Sequence, residues 1–190
     1  MTSPIYAVGD IHGYKSRLDE ALEKIDRDGG RDARVVFLGD YCDRGPDTRG
    51  VIDTFLQGIN EGRDWIFLKG NHDRLFEWFL RDGETKDPNI KSGILWLNER
   101  MGGEKTLGAY MDLPCFLNEK GGGVQTLTSY CLEPMPSDLL KDTIAAANAA
   151  VPQEHKDFIA NLPLSHMENG IFFCHAGIRP GVPFKEQVED

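Results

Sequence analysis

The sequence predicts an α/β protein built on a largely parallel sheet, and three observations carry that prediction. From Ile5 to Arg81, short apolar runs alternate with amphipathic helical patterns in the order β-α-β-α-β-α. That order gives parallel strands joined by right-handed crossovers. The runs are rich in β-branched and aromatic residues, which suit strands covered on both faces. Each run also leads to a glycine-flanked Asp, Asn or His at its carboxyl end, where open α/β sheets build their sites.

Ile5–Val8 reads as the first strand and runs into Gly9-Asp10-Ile11-His12-Gly13. Lys15–Asp28 follows as a helix with Leu18, Leu22 and Ile25 on one face, stopped by Gly29-Gly30. Val35–Leu38 is the second strand and enters Gly39-Asp40-Tyr41-Cys42-Asp43-Arg44-Gly45. Pro46 stiffens the approach to a helix over Thr48–Ile59, capped by Asp47 or Thr48. Trp65–Leu68 is the third strand; it passes through Lys69 into Gly70-Asn71-His72-Asp73 and a helix to about Arg81. Leu75, Phe76, Trp78, Phe79 and Leu80 on that helix are core candidates. A fourth run, Ile171–Cys174, leads into His175-Ala176-Gly177.

Residues 82–165 lack any strand-glycine-ligand unit and read as an inserted, mostly helical cap that lines the approach to the site. Helical patterns fall near Ile90–Met101, Glu104–Met111, Ser137–Ala150 and Glu154–Leu162, punctuated by Gly121-Gly122-Gly123 and Glu133-Pro134-Met135-Pro136. Trp96 and Tyr110 read as core packing rather than base-stacking platforms. Arg74 reads as a solvated first-turn residue, and Arg179 as either a surface or a substrate-contacting residue.

At 190 residues the chain is expected to form a single domain over 1–190. A composition of 40% apolar and 27% charged residues describes a globular protein. The net charge of −10 argues against a nucleic-acid or anionic-membrane partner, both of which select basic surfaces. Cys42, Cys115, Cys131 and Cys174 are not closely paired, so neither a thiolate zinc site nor a disulfide framework is expected. With no signal peptide or membrane-length apolar run visible, the expected location is cytoplasmic. No Gly-x-Gly-x-x-Gly or P-loop pattern is present, which disfavours a general nucleotide-binding module.

The motif residues form an oxygen and nitrogen ligand set. On extended backbone, Asp10 and His12 would point to one side while Ile11 turns into the core. Both could then serve one cation. Asp40 could bridge that cation to a second, completed by Asn71 and His175. Two divalent ions about 3.5–4 Å apart would clamp a phosphoryl group and activate a water for in-line attack.

Taken together, the Asp10, Asp40, Asn71 and His175 motifs resemble those of calcineurin-like metallophosphoesterases, in order from Ile5 to Gly181. They are most similar to the phosphoprotein-phosphatase branch, which includes bacterial serine/threonine phosphatases and diadenosine tetraphosphatases. The resemblance implies an α-β-β-α sandwich with the cap inserted. It also implies two divalent metal ions, with Asp10, His12 and Asp40 at one and Asp40, Asn71 and His175 at the other. Mn is the first choice, and Fe, Zn and Co also suit the ligands. His72, oriented by Asp43, becomes the proton donor to the leaving oxygen, and Arg44 a phosphate clamp; the residue chemistry agrees.

The implied activity is metal-dependent phosphoester hydrolysis on a phosphorylated substrate. A serine/threonine phosphoprotein leads, and a dinucleoside polyphosphate is the alternative. Asp73 stands where many eukaryotic protein phosphatases carry Glu. The family continues beyond the fourth motif with further strands, another arginine and a late histidine ligand, whereas His155 and His166 precede His175 here. His166 reads as hydrogen-bonded or solvated rather than as a substitute ligand. The second sheet is therefore expected to be incomplete and the second cation weakly held. Isolated activity is expected to be low or absent, as in a non-catalytic remnant. An exposed half-core could favour a homo-oligomer or a partner that supplies the missing segment.

Overall fold

The computed structural model describes residues 4–90, 93–98, 100–111 and 137–187. Val35, Val36 and Phe37 of β2 (Arg34–Phe37) are fully buried at the centre of a three-stranded parallel sheet, ordered β1-β2-β3. β1 (Ile5–Val8) lies on one side and β3 (Trp65–Phe67) on the other, with Val8 opposite Phe37 and Phe37 opposite Phe67. The three strands thus end level, and the loops that follow emerge side by side.

Leu18 and Ile25 from α1 (Lys15–Gly29) join Val51 and Phe55 from α2 (Thr48–Asn60) against Val35, Phe37 and Phe67. Phe55 lies 4.8 Å from both Phe37 and Phe67, ring centroid to centroid, within the range of favourable aromatic pairs. Of the two candidate caps for α2, Asp47 is the one used: its Oδ1 accepts the Gly50 N–H at 2.8 Å.

α3 (Asn71–Asp82) ends at Gly83, whose φ of 72° suits a left-handed helix stop. Leu75, Phe76 and Phe79 bury into a second apolar cluster with Trp96 and with α4 (Gly103–Tyr110), α5 (Ser137–Ala150) and α6 (Gln153–Ala160). The helix expected near Ile90–Met101 is absent among the described residues, where 96–98 and 100–102 form turns. Gly93 and Gly102 take positive φ there, and the Trp96 N–H turns back to the Thr85 carbonyl at 2.6 Å. Gly121-Gly122-Gly123, the Glu133–Pro136 stretch, Cys115 and Cys131 lie outside the described residues.

A second, antiparallel sheet pairs β4 (Ser165–Glu168) with β5 (Ile171–Cys174). The two residues between them, Asn169 and Gly170, have φ of 51° and 79°, as a type I′ hairpin requires. Polar contacts tie this hairpin and its flanks to the first sheet. The Lys69 N–H donates to the Pro163 carbonyl at 2.8 Å, Arg34 Nε donates to Glu168 at 3.0 Å, and His175 Nδ1 reaches the Leu38 carbonyl at 3.0 Å. Met167, Ile171, Ile178 and Phe184 are exposed in this region. No described helix is long and apolar enough to cross a membrane.

Candidate active site

The loop after β1 lies directly on the loop after β2. Ile11 and His12 both donate their N–H to the Asp40 carbonyl, at 3.0 and 2.8 Å, and Gly13 donates to Tyr41 at 2.8 Å. In return Gly45 donates to the His12 carbonyl at 2.8 Å. A Cβ on Gly45 would sit 2.2 Å from that carbonyl oxygen, so this approach requires glycine. His12, Asp40, Asp43 and Arg44 adopt φ of 48°, 55°, 73° and 62°, a region that costs non-glycine residues about 1–2 kcal/mol each. The inter-loop hydrogen bonds hold that strain. The Asp10–His12 segment is therefore not extended as expected: His12 turns, because its N–H and its carbonyl both bind the second loop.

Asp73, fully buried in the first turn of α3, fastens the third loop to the second. Its Oδ2 accepts from Asp40 and Gly70 N–H at 2.8 and 2.9 Å, and its Oδ1 accepts from Tyr41 N–H at 2.9 Å and Cys42 Sγ at 3.0 Å. Burial and the neighbouring Asp40 charge push its carboxyl up to about 6, against the pull of these donors. In the sequence Asp73 stands out only as a departure from Glu; its spacing three residues after Gly70 is the signal for a helix-start acceptor.

The expected ligands gather on Asp40. His175 Nε2 lies 3.3 Å and His12 Nε2 3.7 Å from Asp40 Oδ2. Asp10 Oδ2 is 3.9 Å from His12 Nε2, and Asn71 Oδ1 is 3.2 Å from His175 Nε2. Asp10, Asp40 and His175 offer ligand atoms all within 4.8 Å of one another, as do His12, Asp40 and His72. The far nitrogens of the imidazoles are tied to backbone carbonyls, His12 Nδ1 to Cys42 at 2.8 Å and His175 Nδ1 to Leu38 at 3.0 Å. Such bonds fix each ring and turn its Nε2 toward the cluster. This donor set fits divalent transition metals.

Burial pushes the Asp40 carboxyl up, but the hydrogen bond from His175 and nearby imidazoles outweigh it and hold it below the usual range. Burial lowers His175, and Asp40 more than reverses this, raising it to about 8. His12 is lowered, chiefly by burial. Desolvation also opposes the charge on His72, yet its hydrogen bond to Asp43 and the charges of Asp40 and Asp43 leave it raised.

His72 Nδ1 is 2.6 Å from Asp43 Oδ2, and the Arg44 guanidinium spans the two imidazoles, 2.8 Å from His12 Nε2 and 3.1 Å from His72 Nε2. Asp43 also accepts from Trp96 Nε1 at 2.8 Å and Thr106 Oγ1 at 2.6 Å. Trp96 is thus in the core, as expected, but its N–H reaches the site. Tyr110 packs tilted against Phe76 and bonds His155. Arg74 is not the solvated residue expected; it pairs with buried Asp87 and lies over Trp78. His166 bonds Glu168 at 3.0 Å, and His155 lies between Tyr110 and Asp53, so neither joins the ligand cluster. A cavity of about 540 Å³ opens beside Asn71 and His175, bounded also by Arg74, Phe172 and Arg179.

A sequence model of the calcineurin-like phosphoesterases matches residues 3–189. The chain belongs to that family. This calcineurin-like phosphoesterase is 40% identical over 116 residues to a symmetrical bis(5'-nucleosyl)-tetraphosphatase of Cellvibrio japonicus, a match covering 54% of this chain and 42% of that protein. It is 34% identical over 80 residues to the asymmetrical bis(5'-nucleosyl)-tetraphosphatase PrpE of Oceanobacillus iheyensis, covering 38% of this chain and 32% of that protein. Its fold matches the crystal structure of a provisionally named diadenosine tetraphosphatase with a TM-score of 0.56 at 18% identity, over 97% of this chain and 55% of that one. The chain therefore spans roughly half or less of the length of these relatives.

Proposed function

We propose that this chain carries the hydrolytic centre of a metal-dependent phosphohydrolase acting on dinucleoside polyphosphates. The observation that supports it is the convergence of Asp10, His12, Asn71 and His175 on Asp40, with the His72–Asp43 pair and Arg44 alongside. The names of the relatives favour dinucleoside polyphosphates over the phosphoprotein class expected from the motifs.

Asp10, His12, Asp40, Asn71 and His175 would hold two divalent cations, Mn among the metals suited to them. When bound, such cations supply Lewis acidity at the phosphoryl oxygens and lower the pKa of water. The chain's own side chains do the rest. Arg44, already forked between two imidazoles, turns its guanidinium onto two phosphate oxygens. Water adds to phosphorus and releases a proton to solvent, the bridging P–O bond breaks, and the departing oxygen takes a proton from Nε2 of the His72 imidazolium. Asp43, bonded at His72 Nδ1, stabilises the imidazolium and fixes which nitrogen faces substrate.

The test incubates the purified chain and Asp40→Asn with Mn²⁺ and either diadenosine tetraphosphate or a phosphoserine peptide, and resolves products by anion exchange. Nucleotide products, either ADP alone or ATP with AMP, formed only by the parent chain would support the proposal. Preferential release of phosphate from the peptide would move the substrate class to phosphoproteins. Bound cation without hydrolysis of either would overturn the reading.

A further inference from the structure

The proton-donor pair is gripped from outside the four motif loops. Thr106 Oγ1 accepts the Asp43 backbone N–H at 2.8 Å and donates its own proton to Asp43 Oδ1 at 2.6 Å. Trp96 Nε1 donates at 2.8 Å to Asp43 Oδ2, the oxygen that also takes His72 Nδ1–H at 2.6 Å. Asp43, Trp96 and Thr106 are wholly buried. One residue on, the Arg44 N–H points at the Gly102 carbonyl at 3.4 Å, and a Cβ on Gly102 would lie 2.3 Å from Arg44 N.

We propose that Thr106 and Trp96 are positioning residues for the leaving-group proton, fixing the Asp43 carboxylate so that it aims His72. This rests on the reading of His72 as the proton donor. Three donors converge on the two oxygens of Asp43, so its carboxylate has one orientation open to it. Asp43 also sits at a φ of 73°, a conformation its own chain does not favour, and the Thr106 hydroxyl holds the main chain there. Packing alone explains neither polar contact. Valine at 106 would fill the same space yet leave a buried N–H and a buried carboxylate oxygen without partners. A phenyl ring at 96 would still pack against Phe76 and Phe79, but without a donor.

The full chain is compared with Thr106→Val, Thr106→Ser and Trp96→Phe by two readouts. The first is Mn²⁺-supported hydrolysis of phenyl phosphate, whose leaving group needs a proton, and of 2,4-dinitrophenyl phosphate, whose leaving group does not. Thr106→Val is expected to lower kcat about 10-fold or more on the phenyl ester and less than about 3-fold on the dinitrophenyl ester. Thr106→Ser is expected to recover most of the loss. The second readout is the hydrogen-bonded His72 imidazole N–H resonance of the purified chain, expected to shift upfield in Thr106→Val and Trp96→Phe and to stay in Thr106→Ser. Equal losses on both esters with an unmoved resonance would overturn the proposal. If Thr106→Val does not fold, Trp96→Phe carries the same comparison. If the parent chain hydrolyses neither ester, the functional reading fails, and the N–H resonance still decides whether Thr106 and Trp96 hold the pair.

Discussion

The backbone N–H of Asp40 is held at 2.8 Å by the carboxylate of Asp73, an acid that belongs to neither candidate ligand group. Asp40 is thus aimed through its main chain, and its own carboxylate stays available: Oδ1 accepts the His72 N–H at 3.0 Å and Oδ2 faces His175 and His12. One buried acid ties the loops together while the other stays open to the candidate cations.

Asp73→Asn sets an amide NH2 against donors already pointing at that position. Either way the amide is turned, it meets at least two of them: Asp40 and Gly70 N–H at Oδ2, or Tyr41 N–H, Cys42 N–H and Cys42 Sγ at Oδ1. The expected loss is about 2–4 kcal/mol of unfolding free energy, read from urea denaturation. A variant within about 0.5 kcal/mol of the parent would show that this network carries little of the fold's stability.

Asp40→Asn removes the one carboxylate that both groups of candidate ligands share. Metal content by mass spectrometry is expected to fall, and hydrolysis to drop by about 100-fold or more. Chelation of the parent chain should reproduce the loss, and added Mn²⁺ should reverse it only in the parent.

Arg44→Lys keeps the charge but not the fork that spans His12 and His72. About a tenfold or greater loss in kcat/KM is expected for Lys, close to that for Ala, because a point charge does not replace two parallel donors. Full activity in Arg44→Lys would mean the residue acts by charge alone.

His155 gives the stability curve a predictable slope. It is buried, accepting from Tyr110 at 3.0 Å and facing Asp53 at 3.0 Å; burial lowers its pKa more than Asp53 raises it. The neutral ring is the folded form, so its contribution is complete above the unfolded value of about 6.5 and is lost as pH falls below it. The stability difference between the parent and His155→Gln should therefore shrink from about pH 8 to about pH 5. A difference independent of pH would place the ring's contribution in packing instead.

The candidate ligands were readable because each follows an apolar run beside glycine; the level strand ends of the parallel sheet bring Asp10, His12, Asp40 and Asn71 together, and the hairpin brings His175 to them. The grip on Asp43 was not readable. Trp96 and Thr106 are 53 and 63 positions away in sequence, in a segment without a motif, and only tertiary packing makes them neighbours. Trp96 also shows how a turn can defeat a helical pattern: its ring entered the core between Phe76 and Phe79 while Gly93 and Gly102 bent the chain. β4 went unseen because Ser165-His166-Met167-Glu168 lacks β-branched residues, although Asn169-Gly170 marked the hairpin.

The hairpin that delivers His175 meets the parallel sheet through a short set of polar contacts, one of them reaching Leu38 across 137 positions of sequence, while several of its apolar side chains face solvent. Detachment of that hairpin would withdraw one imidazole and leave Asp10, His12, Asp40 and Asn71 on the sheet that holds them. If the hairpin opens as a unit, amide exchange in Phe172–Cys174 and release of a cation held in part by His175 would report the same event, with matching rates.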